Sequence, residues 1–341
     1  MEPKMNRSWV LALSLLALPS LSTACGGSPY VASEDETHAR EAAIQRQTDR
    51  AAWTPPVLLW QLQPGIPGED GPSWIVGSMA YGLELPDALP APHGEIPSRA
   101  EYVFVDQDPE SFTLEALRAS QRLSRRDRLD RMMPPASWTN LRELMTSTSE
   151  SDLRQIKPWL LWLHLSRVRA AEAHAIGEGR PPVLGVPSSA SMLRELHLEA
   201  RRHGHQLGTL DSVEMAIAEF DHFPPALWIQ RVQLELVNPD VSRGRAIDMR
   251  RAYLSRDEDQ IRAACLASVG TDEPVLAQHH ALVSARASRW LPIIEASARR
   301  GSTFVAVDVC TLLGEHGLIE QLYGTGLRIE RLGAAPGTER P

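Results

Sequence analysis

The strand-like runs of this chain stand at its two ends, and this constrains the fold more than any other feature. Val57–Leu62, Ser73–Gly77 and "EYVFVDQD" come before a long helical stretch, and Thr303–Val307 and Leu327–Leu332 come after it. These short apolar runs are rich in β-branched and aromatic residues, as buried strands are. "SWIVGSMAYG" and "TFVAVDVCTLLG" are each a strand, a short turn and a glycine. Two similar units at opposite ends predict a pseudo-symmetric pair meeting in one sheet. The expected fold class is α/β with an α+β-like order: one sheet built from both ends of the chain and a large helical middle.

The middle reads as a series of helices. Thr113–Arg125 and Ser137–Met145 come first. The longest begins at Ser149 or Ser151, should kink at Pro158 and stops at Gly177. "SASMLRELHLEARRHG" ends at Gly204 with basic residues in its last turn, which suits the helix dipole. A strand-like "QLGTLDS" follows, then helices over Pro224–Leu236, Val241–Leu254, Glu258–Ala267 and Glu273–Arg299, and a short one at Leu318–Tyr323. Trp138, Trp159, Trp162, Trp228 and Trp290 fall mostly on apolar helical positions and read as core.

At the N-terminus, Lys4 and Arg7 precede the apolar run "VLALSLLALPSL", which is too short to span a bilayer. "STAC" follows, so residues 1–24 read as a secretory signal. Ser22-Thr23-Ala24 suits ordinary cleavage. "LSTAC" resembles a lipobox, with Cys25 acylated and "GGS" as its tether, although Leu21 sits one place early. On the lipobox reading the chain is a lipid-anchored lipoprotein of the bacterial periplasm or outer envelope, and the membrane is a partner through Cys25. Residues 25–52 read as a polar tether, 53–333 as the folded domain and 334–341 as a loose tail. The formal net charge of −8 gives no basic footprint for nucleic acid. Cys265 and Cys310 read as buried free thiols, though an oxidising compartment permits a bridge between them.

Taken in order, these segments resemble the TraB/GumN family, which includes the TIKI-type metalloproteases. "LLWQL" with "WIVGSMAYGLELP" resembles the opening hairpin and its G-x-x-H segment, and "YVFVD" the strand with an acidic residue. "IKPWLLWLHL" resembles the Lys-Pro-Trp helix, "LGTLDSVEMAIAEF" the "LET…Q" segment and "RRAYLSRDEDQI" the "Y-x-x-G-D" stretch. "ARASRWLPIIEA" resembles the "ERN" helix, and the segment from Thr303 to Leu332 the terminal G-x-x-H block. The resemblance covers residues 56 to 333.

The resemblance implies a divalent metal such as Zn, Mn or Co, held by two G-x-x-H histidines and an acidic residue for hydrolysis. Such chemistry needs about three protein ligands and an open position for water. Matched position by position, this chain lacks the ligands. Ala80 stands at the first histidine position and Thr311 at the second, and Asp308 replaces the second glycine. Asp106 keeps an acid on its strand, and Asp211 stands for the "LET" glutamate. Arg286 survives from "ERN" between Ala285 and Ala287, and Ala216 replaces the glutamine. Losing a supporting partner alone typically costs ~10–100-fold in metal affinity.

The expectation is therefore a degenerate cleft formed by Ala80, Asp106, Asp211, Arg286, Asp308 and Thr311. No metal or other cofactor is expected, and the cleft would bind a peptide or protein ligand. The alternative is an active metal-dependent peptidase with relocated ligands, for which His316, Asp308 and Asp106 are the candidates. Asp106, Asp108 and Asp308 together would suit Ca²⁺ or Mg²⁺; otherwise Asp106 and Asp308 should pair with Arg286 or another base at the sheet end. No G-x-S-x-G, P-loop or dinucleotide fingerprint occurs.

Overall fold

The computed structural model describes residues 57–63, 71–79, 81–111, 113–182, 191–270, 272–314 and 316–333. The expected signal, the tether with Cys25, the tail after Gly333 and Ala80 lie outside the described residues.

Six strands form one sheet: β1 (Leu59–Gln63), β2 (Ser73–Ser78), β3 (Tyr102–Val105), β4 (Gln206–Thr209), β5 (Thr303–Asp308) and β6 (Arg328–Arg331). Their order across the sheet is β4-β3-β5-β2-β1-β6. The two ends of the chain do meet in one sheet, around a helical middle. β2 and β5, the strands of the two similar units, are parallel neighbours, with Gly77 opposite Val307 and Ser78 opposite Asp308. β3 runs parallel to both β4 and β5. β1 is antiparallel to β2 and to β6.

Among the described residues eight helices have ten or more residues: α1 (Pro135–Leu144), α2 (Pro158–Gly177), α3 (Met192–His203), α4 (Val213–His222), α5 (Pro225–Val237), α6 (Pro239–Ser255), α7 (Glu258–Val269) and α8 (Glu273–Arg300). No helix among the described residues is long and apolar enough to cross a membrane.

Two expected helices are shorter. Thr113 caps a single turn, Leu114–Leu117, through the Ala116 N–H. Beyond it the hydroxyls of Ser120 and Ser124 bond to nearby backbone. Such local bonds compete with helix propagation. Pro158 does not kink a long helix. Glu150–Leu153 is a separate turn capped by Ser149, and Pro158 begins α2 at its first turn, where a missing N–H costs nothing.

The core lies along the parallel strands. Ile75, Val76, Phe304, Val305, Ala306 and Val307 are almost wholly buried, and burying each larger side chain contributes roughly 1.5–3 kcal/mol. Gly77 is fixed by packing, because a Cβ there would meet Val309 Cγ2 at 2.9 Å. Its carbonyl accepts a 2.6 Å hydrogen bond from the buried Tyr253 hydroxyl of α6. Trp159, Trp228 and Trp290 are buried as expected. Lys157 and Trp159 of the Lys-Pro-Trp segment both hold Asp221, at 2.6 and 2.8 Å.

One cysteine expectation is corrected. Cys265 and Cys310 are not free thiols but form a disulfide. It ties α7 to the short helix that follows β5. Sequence separation gave no sign of this proximity, which arises because α7 packs against that short helix.

Candidate functional site

In a parallel sheet the carboxyl ends of the strands share one edge, which is where open α/β sheets bind ligands. Here three aspartates stand at that edge. Asp106 follows β3, Asp211 lies just past β4, and Asp308 ends β5. The ladder continues beyond the strands: Asp106 N–H donates to Ala306 O, and Asp211 N–H to Asp106 O. Asp106 therefore lies between the other two.

A cavity of about 370 Å³ opens over this edge. Asp106, Asp308, Thr311 and Arg286 line it, as do Met79 and Tyr81 on either side of Ala80. The helical middle supplies the opposite wall, including Trp162 and Arg167 of α2, Arg231 of α5, Arg245 of α6 and His279 of α8. Asp211 is not among the lining residues. Its fully buried carboxylate is held by Arg289 at 2.7 and 2.8 Å. Arg289 also holds Glu219 at 2.9 Å, and Arg286 meets the same glutamate at 3.0 Å.

The expected pairing of Asp106 or Asp308 with Arg286 is not formed; Arg286 bonds to Glu219 instead. Arg286 and Arg289 are three residues apart on one helical face, so a single glutamate bridges both. Arg286 still acts on the aspartates through space.

Asp308 caps the helix Val309–Leu313. Its Oδ2 accepts the Thr311 N–H at 2.9 Å and the Thr311 hydroxyl at 3.1 Å. An N-cap needs a side-chain acceptor in the first position and a free N–H three residues on. Asp308 and Thr311 thus satisfy one another, and the adjacent Cys310 is fixed by its disulfide. Burial raises the Asp308 carboxyl above its ordinary range despite these hydrogen bonds.

Asp106 is raised as well, to about 7. Burial is the main cause and the Asp308 charge the next; the Gln107 N–H and Arg286 oppose them, while Asp211 adds to the rise. Gln107 N–H donates to Asp106 Oδ1 at 2.8 Å. Beside this pair the Arg167 guanidinium lies 4.4 Å from the centre of the Tyr81 ring, and burial raises the Tyr81 phenol.

These residues do not fit a transition-metal site. Asp308 Oδ2 is committed to Thr311, Arg286 brings positive charge to both carboxyls, and burial favours the neutral form of each. Among the described residues no group of three or more His, Cys, Asp or Glu side chains is placed to hold a metal ion. His316 is not among the lining residues of the cavity. Its backbone N–H donates to Glu320, and its carbonyl accepts from Gln321.

Several residues of the site were missed in the sequence. His279 reaches the cavity although no motif marks it. Arg231 and Arg245 carry no motif.

The model of the TraB/PrgY/gumN family matches residues 58–331, which takes in all six strands and every helix named above. Comparison with curated proteins gives no match, and comparison with solved structures gives none. With the match covering most of its length, the chain belongs to the TraB/PrgY/gumN family.

Proposed function

We propose that this chain is a catalytically degenerate member of its family: an exported, lipid-anchored protein that binds a ligand in a cleft where relatives would carry a hydrolytic metal. The observation that carries the reading is the mutual capping of Asp308 and Thr311. The positions matched to the second G-x-x-H motif serve as a helix cap, and the position matched to the first histidine is an alanine without a donor atom. A hydrolytic metal needs about three ligands and an open water position, and Asp106 supplies at most one. The Cys265–Cys310 disulfide supports export, since such bonds persist chiefly in oxidising compartments. The anchor itself rests on "LSTAC" alone.

The test is a peptidase assay on the purified mature chain with added Zn²⁺, Mn²⁺ or Co²⁺. No metal-stimulated cleavage is expected. Ala80→His combined with Thr311→His, with Asp308→Gly to restore the turn, should gain metal affinity over the parent chain. Chelator-sensitive cleavage by the unaltered chain would overturn the reading in favour of a peptidase with relocated ligands.

A further inference from the structure

The wall of the cavity opposite the sheet carries Arg231, Arg245 and Arg286, and burial raises the Glu235 carboxyl that lines it with them. Arg231 is 6% exposed. Its Nε donates to Gln278 Oε1 and one Nη to the Val275 carbonyl, both neutral acceptors. Its guanidinium lies 5.0 and 5.6 Å from the ring centres of Trp162 and Trp228. Among the described residues no carboxylate makes an ion pair with it. Burying a guanidinium without a direct ion pair is costly, and here burial pushes Arg231 down to about 10 against the opposing effect of the nearby Glu235.

Two more arginines line the same space with donors to spare. Arg286 uses only Nε on Glu219, so both terminal nitrogens lack a hydrogen bond among the described residues. Arg245 has no hydrogen bond or ion pair there at all. His279 faces the same cavity with neither ring nitrogen hydrogen-bonded to a described residue. Burial, with Arg231 and the other nearby cationic groups, lowers its pKa to about 4, so it is a neutral donor at physiological pH. The chain as a whole is at −8, so this positive wall runs against the overall charge. Between the charged groups the lining is apolar, with Trp162, Leu282 and Met249 among it.

We propose that the cavity binds an amphipathic organic anion, its headgroup between Arg231, Arg245, Arg286 and His279 and its apolar body along Trp162, Leu282 and Met249. Guanidinium groups with unused N–H donors make short, charge-assisted hydrogen bonds to carboxylate or phosphate oxygens. A desolvated pocket strengthens them, and a cavity of this size lies in the range of small-molecule sites. The proposal rests on the reading of the cleft as a binding site and adds the chemical class of its occupant.

The test is calorimetric titration of the mature chain with octanoate, octanol and octyltrimethylammonium, which share a tail and differ in headgroup. Octanoate should bind one per chain, at least about tenfold more tightly than octanol, and the cation should not bind. Arg286→Gln and Arg245→Gln should each weaken octanoate about tenfold, the loss of one charge-assisted hydrogen bond, and leave octanol unchanged. Arg245→Gln breaks no hydrogen bond or ion pair among the described residues, so it keeps the test valid if Arg286→Gln misfolds. Octanoate binding no tighter than octanol, indifferent to both substitutions or absent at millimolar concentration would overturn the proposal. In a metal-free, inactive chain that result sinks the ligand class alone, whereas a stoichiometric metal with chelator-sensitive cleavage sinks the proposed function whatever octanoate does.

Discussion

Asp106→Asn should stabilise the protein, and by more at alkaline pH than at acid pH. Asp106 titrates at about 7 in the fold against 3.8 when unperturbed. The folded state therefore holds a proton that the unfolded chain has released, and stability falls as pH rises. The contribution is fully present below about pH 4 and is lost on passing through about 7. Three units would be ~4 kcal/mol at 1.36 kcal/mol per unit. The side chain keeps access to the cavity, and only part of the interval lies between pH 5 and 8, so roughly 1–2 kcal/mol is expected there. The groups facing it are Asp308, Asp211, Arg286 and the Gln107 N–H. Asn is nearly isosteric and still accepts the Gln107 N–H, so the variant isolates the charge. Urea unfolding of both chains at pH 5, 6.5 and 8, with the disulfide intact, gives the difference directly. Subtraction matters because His164 and His279 are lowered by burial and act with the opposite sign. A stability difference that stays constant across this range would refute the reasoning.

Other outcomes follow from single contacts. Cys310→Ser should destabilise the chain by about 2–4 kcal/mol, as the bond closes a loop across a separation of 45 residues; an equal urea midpoint for reduced and oxidised protein would contradict this. Arg289→Ala strands the buried carboxylate of Asp211, leaves Glu219 to Arg286 alone and should cost about 3–5 kcal/mol, measured by thermal unfolding at neutral pH; a loss below 1 kcal/mol would show that the pair is not needed. Cys25→Ser should move the protein from membranes to the soluble envelope fraction, and an unchanged distribution with no lipid on the N-terminal peptide would remove the anchor.

The meeting of the two ends in one sheet was legible because β2 and β5 are short apolar runs followed by matching turns, and such runs have few places to hide. The strand-end aspartates were legible for the same reason: each follows a run that reads as a strand. The way those aspartates are satisfied was not. Asp211 turns to Arg289 and not to Arg286, a choice made by helix rotation that a linear motif does not encode. The disulfide was equally invisible, because it depends on α7 lying against the turn after β5. Pro158 was read as an interruption, but Ser149 had already capped and closed a separate turn, leaving proline at a helix start. The cationic wall lay furthest from view. Arg231, Arg245 and His279 come from three different helices, and only tertiary packing brings them to one cavity.

The central proposal is that the cleft holds no catalytic metal. It is tested most directly by elemental analysis of the purified mature chain after dialysis against Zn²⁺, Mn²⁺ and Co²⁺ and then against metal-free buffer. The account predicts metal far below one equivalent for each ion, since Asp308 caps its own helix and Ala80 offers no donor. One equivalent retained per chain, and removed by a chelator, would contradict it.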